Sequence, residues 1–437
     1  MIFVDKNNSY KKTKRPAMKL PRFIENLIPG FKIIDVKEWL QHKKIEVYLE
    51  KDTSDCFCNR CGTQLEASRG RHRLQVRHLP IFNFQVYLMV WRHKGHCPTC
   101  KKARSEHLNF IAEETPHLSR EYAWWLGRMC EISAVSRVAE FAGHDKSTMH
   151  RLDFNRLRRL IQHYKIPKVK RISVDEVYSR SNSHYRGENR NQRFFTVISD
   201  LDSRRVIWVS DSRDRAALDE FYKIIGTDAC REIEVVAADQ HDGYRASTEE
   251  YCPQATYVWD KFHLLQSFED SVNEERKKLH SDASKKSDIA HLACGTYRYI
   301  FLKRESDRTK EESRHILKVI KENERFAGLE LVKERMLYFF QEKTAEDAWK
   351  IFEELEKWIV DMGFNFLEKW AKNFKDNWRT IKNYFKCRVT SALSEGNNNV
   401  IKTLKRRAYG YRNMTYFKLK ILQVCGYLNS RYIKLEE

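Results

Sequence analysis

A chain of 437 residues is too long for one small domain and can bury several cores. Its 81 Lys and Arg against 60 Asp and Glu give a net charge of +21, which with 12% aromatic residues argues against a disordered tail and for a polyanionic partner, nucleic acid first. Charges begin directly after Met1-Ile2-Phe3-Val4, and Asn83 and Gln85 interrupt the apolar stretch 81–91, so neither a signal peptide nor a membrane span is expected.

Residues 1–29 read as a basic arm carrying Lys6, Lys11, Lys12, Lys14, Arg15 and Lys19. Residues 30–115 follow as a small β-rich domain, with strand-like runs at 45–49, 74–78 and 84–91 between cysteine pairs. Cys58-Asn59-Arg60-Cys61 and Cys97-Pro98-Thr99-Cys100 are two C-x-x-C knuckles, each presenting two thiolates to one ion, and together they make the tetrahedral Cys₄ set of a zinc ribbon. Zn²⁺ there is structural, because four thiolates leave no position open for water. Cys56 and His96 lie beside the knuckles as substitute ligands. The odd total of 11 cysteines suits a reducing cytoplasm with one metal site better than a disulfide framework.

Residues 116–167 read as helices, and 136–152 has the cadence of a helix-turn-helix. Ala139 is small enough for close packing, Gly143 makes the turn, and Ser147 caps a second helix that carries His150 and Arg151. Ser147, His150 and Arg151 are the expected base-reading surface.

From 168 to 274 the pattern is strands at 171–177, 193–199 and 204–210, a helix at 214–226, a strand at 232–238, a helix at 241–250, a strand at 256–259, and a long helix from about 260. Three meandering strands followed by βα units is the element order of a ribonuclease-H-like fold, whose first and fourth strands are neighbours at the sheet centre. Asp175 and Asp239 close those two strands and are expected to meet. Residues 275–385 read as an all-helical insertion, with helical spacings at Leu331, Arg335, Tyr338 and Phe339 and at Ile351, Phe352, Leu355, Trp358 and Ile359. Residues 386–437 return to the catalytic unit. The whole is an α+β multidomain chain: zinc ribbon, helix-turn-helix, and a ribonuclease-H-like core interrupted by helices.

Glu395 opens a helix that continues into Lys402, Lys405, Arg406 and Arg407. Glu395, Asn399, Lys402 and Arg406 fall on one stripe, while Val400, Ile401, Leu404 and Ala408 fall on the other. Phosphoryl transfer on DNA needs charge stabilised on the attacking and leaving oxygens, which two Mg²⁺ or Mn²⁺ ions about 3.5–4 Å apart do when carboxylates hold them. Asp175, Asp239 and Glu395 are the catalytic and metal-holding candidates, with Asp175 bridging. Singly, each acid has an ordinary explanation, since strand-end aspartates cap turns and a glutamate favours a helix start through the dipole. Strand order, spacing and charge together favour the site. The basic run through Arg412, Lys418 and Lys420 carries no acid, so its cations suit phosphates, and Tyr409, Tyr411 and Tyr416 suit stacking on exposed bases.

These residues resemble a bacterial insertion-sequence transposase of the ISL-three family. The resemblance is carried by the two knuckles, by Ile172-Ser173-Val174-Asp175-Glu176, by Ala238-Asp239 followed by Tyr244, by Asp260-Lys261-Phe262-His263, and by Ser394-Glu395-Gly396-Asn397-Asn398 through Asn413. It implies an enzyme that binds the terminal inverted repeats of its element, cleaves strands with Mg²⁺ and joins 3′ ends to target DNA. It also implies Asp175, Asp239 and Glu395 as the catalytic triad, a homodimer or larger synaptic assembly on double-stranded DNA, and a place in the bacterial cytoplasm at the nucleoid. Some D-D-E relatives place Lys or Arg six residues after the glutamate; here that position is Ile401 and the nearest cation is Lys402. Asp260 and His263 match the family pattern without an assigned step. A metal-dependent nuclease that never joins ends, and an inactive DNA-binding regulator, are the competing functions.

Overall fold

The computed structural model describes residues 28–179, 190–283, 297–389, 392–429 and 431–433. The expected basic arm lies outside these apart from Ile28 and Pro29. Two compact units divide the chain, Met1–Arg156 and Leu157–Glu437. No described helix is long and apolar enough to cross a membrane.

The first unit holds a five-stranded sheet of β1 (Phe31–Trp39), β2 (Lys44–Lys51), β3 (Glu66–Ile81), β4 (Phe84–Cys97) and β5 (Lys102–Ser105). Its order is β1-β2-β4-β3, with β5 on the end of β4, and every pairing is antiparallel except β2 with β4. The strands are longer than their apolar runs predict, because the β3–β4 hairpin carries its pairing past the core toward the knuckles. Period-two alternation puts Leu74, Val76, Leu88 and Val90 on a buried face, where they pack with Phe31, Leu49 and Phe110.

Three helices follow: α1 (Arg120–Ile132), α2 (Val135–Ala142) and α3 (Lys146–His163). Ala139 is fully buried between them, and Gly143 ends α2 at φ 68°, as its place in the expected turn requires. The cap of α3 differs from expectation. Asp145, not Ser147, accepts the Thr148 amide at 2.9 Å, and the Ser147 hydroxyl itself donates to Asp145. A carboxylate is the stronger acceptor for a free helix-start N–H, so it takes the cap.

The second unit is built on β6 (Arg171–Tyr178), β7 (Phe194–Asp200), β8 (Arg205–Val209), β9 (Val235–Ala238) and β10 (Thr256–Trp259), in the order β10-β9-β6-β7-β8. β6, β7 and β8 are antiparallel neighbours, while β9 and β10 run parallel to β6. The first and fourth strands of this sheet are therefore adjacent, with β6 at its centre.

Helix α4 (Arg215–Glu232) outruns its expected end. Gly226, at φ 81°, breaks it, the helix resumes to bury Cys230, and β9 consequently starts three residues later than predicted. Helices α5 (Asp242–Tyr251) and α6 (Lys261–Ala283) flank β10 in sequence.

The stretch expected to be helical is so, from α7 (Tyr297–Leu302) through α8 (Lys310–Glu322), α9 (Glu324–Phe339), α10 (Ala345–Asp361), α11 (Asn365–Asp376), α12 (Trp378–Ile381) and α13 (Asn383–Cys387). On α10 the predicted stripe of Ile351, Phe352, Leu355 and Ile359 is buried, with Trp358 only partly covered. On α9 the predicted stripe is right at Phe339 and wrong at Leu331 and Tyr338, which are about half exposed; the core face is Phe326, Leu329, Val332, Met336 and Phe339. These helices share one continuous apolar core with the second sheet. The chain ends on α14 (Ala392–Arg407) and α15 (Met414–Cys425).

Candidate active site and metal centre

Both knuckles are built by the same backbone device. After the second cysteine of each, the chain turns through a left-handed residue, Gly62 at φ 73° and Lys101 at φ 51°. The turn aims amides at sulfur: Arg60 N donates to Cys58 Sγ at 3.4 Å and Cys100 N to Cys97 Sγ at 3.3 Å. The four thiols converge, with Cys61 to Cys97 at 3.3 Å, Cys61 to Cys100 at 3.5 Å and Cys58 to Cys100 at 4.0 Å. A tetrahedral Zn²⁺ with Zn–S of about 2.3 Å has sulfur–sulfur edges of about 3.8 Å, so the set fits zinc and is compatible with a zinc ribbon.

Neither expected substitute joins that set. His96 belongs to no cluster among the described residues, and Cys56 lies instead with His93 and Glu106. There the fully buried Glu106 accepts from Lys51 Nζ at 2.5 Å and from the His93 amide at 3.2 Å, so a lysine already supplies the positive charge.

In the second unit, three neighbouring parallel strands bring an aspartate to one level. Val174 pairs with Ala238 and Ala238 with Trp259, so Asp175 lies level with Asp239 and Asp260, which directly follow β9 and β10. Asp175 does not close its strand as expected, because β6 keeps pairing with β7 as far as Tyr178. His263, one turn into α6, faces all three: its Nε2 is 3.7 Å from Asp175 Oδ1 and 3.9 Å from Asp260 Oδ2, and its Nδ1 is 3.9 Å from Asp239 Oδ2. Burial alone would push this imidazole down, but Asp175, Asp239 and Asp260 together raise it to about 9. The protein thus holds one cation of its own among three carboxylates. Asp260 also caps α6, accepting the Phe262 amide at 3.0 Å.

The neighbouring acid Glu176 faces elsewhere. It accepts from the Tyr244 hydroxyl at 3.3 Å and lies 3.5 Å from Arg213 Nη1, and burial raises its carboxyl. Tyr244 in turn meets Thr196 Oγ1 at 2.8 Å, locking this side of β6.

Helix α14 crosses the other side. Asn398 donates to Asp175 Oδ2 at 2.8 Å, Asn397 to Ser199 Oγ at 3.2 Å, and Ile401 is fully buried. Position 401 therefore packs under the helix, which is why a cation is absent there. Glu395 is exposed, and its carboxylate forms no cluster within 4.8 Å with two other metal-type ligand groups among the described residues. The expected outer stripe of Glu395, Asn399, Lys402 and Arg406 is exposed, whereas Val400, assigned to the packing side, is 43% exposed.

Several cations and rings of the basic run serve the fold. Lys405 donates to the Tyr178 carbonyl at 3.2 Å and sits 5.1 Å over its ring, Lys418 pairs with Asp211 at 2.6 Å, and Lys420 is buried. Tyr411 stacks on Phe417 at 4.4 Å and Tyr416 is buried, so of the three tyrosines only Tyr409, 96% exposed, projects. Lys402, Arg406, Arg407 and Arg412 remain exposed, as do Ser147, His150 and Arg151 on α3. Sequence reasoning missed Asn398 as an Asp175 partner and left Asp260 and His263 without a place. The signal was the repeated pattern of an apolar run ended by aspartate, which occurs a third time at Val258-Trp259-Asp260.

The family model described as Transposase, of the ISL3 type, matches residues 172–421, over half of the chain. The chain belongs to the ISL3 transposase family. The matched span contains Asp175, Asp239, Asp260, His263 and Glu395. Over 390 residues, 88% of this family member and 93% of its relative, the chain is 25% identical to the transposase for insertion sequence element IS1001 of Bordetella parapertussis. It is 23% identical over 398 residues to the transposase for element IS1557 of Mycobacterium tuberculosis, covering 85% of this chain and 86% of that one. These ISL3 relatives extend the likeness well beyond the span of the family model.

Proposed function

We propose that the chain is a D-D-E transposase that binds the terminal inverted repeats of an insertion sequence and catalyses metal-dependent strand cleavage and strand transfer. The observation that carries this reading is the row of Asp175, Asp239 and Asp260 at one level of three adjacent parallel strands, turned toward one histidine in a transposase family member. The sheet order, three antiparallel strands with two parallel ones beside the first, supports a ribonuclease-H-like catalytic unit.

Asp175, Asp239 and Glu395 are the catalytic carboxylates in this reading. Three carboxylates turned toward one point supply the negative charge that raises His263 to about 9, and hard carboxylate oxygens of this kind suit Mg²⁺ or Mn²⁺. Asp175, Asp239 and Glu395 would hold such ions, which would supply activation of a water or DNA 3′-hydroxyl nucleophile and offset charge on the leaving oxygen. The protein's own groups orient this chemistry: Asn398 holds one Asp175 oxygen, and Glu395 sits one helical turn before Asn398 on the same side of α14. Lys402, Arg406, Arg407 and Arg412 hold phosphates, with Lys405 steadying the strand end at Tyr178. Ser147, His150 and Arg151 read the ends, the ribbon of 30–115 is held by Zn²⁺ on Cys58, Cys61, Cys97 and Cys100, and synapsis uses two or more copies on double-stranded DNA.

The test is cleavage and joining of labelled DNA bearing the element's ends with Mg²⁺. Wild type should cut and join; Asp175→Ala, Asp239→Ala and Glu395→Ala should bind but do neither, and Asn398→Ala should lose about 10- to 100-fold in rate. Cutting without joined product would make the protein a nuclease. Binding without cutting at any metal concentration would make it a regulator, and triad variants as active as wild type would remove the carboxylates from the mechanism.

A further inference from the structure

The first sheet turns a second face outward, and its composition is unlike an ordinary solvated surface. Cross-strand register sets Lys37 opposite Glu46, Glu46 beside Tyr87, Tyr87 opposite Arg77, and Trp91 opposite Arg73. Cations and rings alternate across it. The Arg71 guanidinium lies 4.7 Å over the Trp91 ring, Arg73 lies 4.7 Å over Tyr48 and 5.6 Å over Trp91, and Lys37 lies 4.8 Å over Tyr48.

Arg71, Arg73 and Lys37 are exposed and pair with no carboxylate among the described residues, and Trp91 keeps 42% of its surface exposed. Of the acids on this face, Glu46 at its middle is already paired, accepting from Lys44 at 2.7 Å and from the Tyr48 hydroxyl at 2.8 Å, while Asp35 and Glu50 lie toward the β1 edge, away from Arg71 and Arg73 on β3. Rings that hold guanidinium groups flat lower the entropy lost when those groups bind, and leave their N–H forks free for phosphate oxygens.

We propose that this face grips the backbone of duplex DNA, with Arg71 and Arg73 as phosphate contacts and Trp91 and Tyr48 as the platform that positions them. The proposal rests on the transposase reading for the identity of the polyanion and adds a surface separate from the α3 residues and from the basic helix α14. The grip is sequence-independent as proposed, because contacts to phosphates carry no base information.

The experiment is fluorescence anisotropy of the full chain, zinc-loaded, on a labelled duplex of random sequence across a KCl series. Arg71→Ala/Arg73→Ala should weaken binding about tenfold near 0.1 M salt and lower the slope of log affinity against log salt by about two, one per lost contact. Trp91→Leu should weaken binding less and leave the slope within about one of wild type. Lys318→Ala/Lys357→Ala, which removes equal charge from exposed helical positions, should leave both unchanged. Zinc content and circular dichroism equal to wild type show that the variants fold, and the single substitutions Arg71→Gln and Arg73→Gln repeat the measurement if the double variant does not. If the sheet variants bind like wild type, or fall no further than the control pair, the grip is refuted. A larger loss on a single-stranded oligonucleotide than on the duplex would also overturn it, by making the rings a base-stacking platform. Failure of wild type itself to bind any DNA would instead strike the transposase reading.

Discussion

His263 faces Asp175, Asp239 and Asp260 at once, and this sets a testable dependence on pH. Its folded pKa, about 9, lies above the ordinary value near 6.5, so its protonation stabilises the fold fully below that ordinary value and the contribution disappears as pH rises through about 9. In chelator, His263→Gln should therefore lower the urea midpoint at pH 6 and have little effect at pH 9.5. An equal loss at both values would mean that the ring acts by packing alone. At this scale Asp175 and Asp239 were legible in the sequence because an apolar run closed by an acid is a local signal. The exposure of Glu395 and the contact from Asn398 were not, because helical spacing leaves the rotation of α14 about its axis undetermined and only the fit of Ile401 beneath it fixes that rotation.

Among the elements, strand order was the most readable feature and helix faces the least. The five strands of the second sheet follow the predicted runs closely because each is a short apolar stretch bounded by polar turns, whereas α9 is apolar on several sides and offers two competing stripes. The buried stripe can be checked by substitution. Phe339 is fully buried against Phe374 and Phe385, and Phe339→Ala should cost about 3–5 kcal/mol in chemical denaturation. Tyr338 next to it is 53% exposed, and Tyr338→Ala should stay within about 0.5 kcal/mol. The reverse order would contradict a core face that runs through Phe339 and leaves Tyr338 outside it.

For the molecule as a whole, two units with separate apolar cores predict separable melting. A zinc chelator should lower the transition of the first unit by calorimetry and leave the second in place, whereas Phe339→Ala should lower only the second. One merged transition responding to both would contradict the division. The contact between Asn398 and Asp175 joins residues 223 positions apart. During translation the strand that bears Asp175 thus waits for a helix some two hundred residues later, while the first unit has already left the ribosome. At about 5–20 residues per second that interval is on the order of ten to fifty seconds. The first unit can therefore be complete, and open to whatever it binds, before Asn398 reaches Asp175 and the second unit closes.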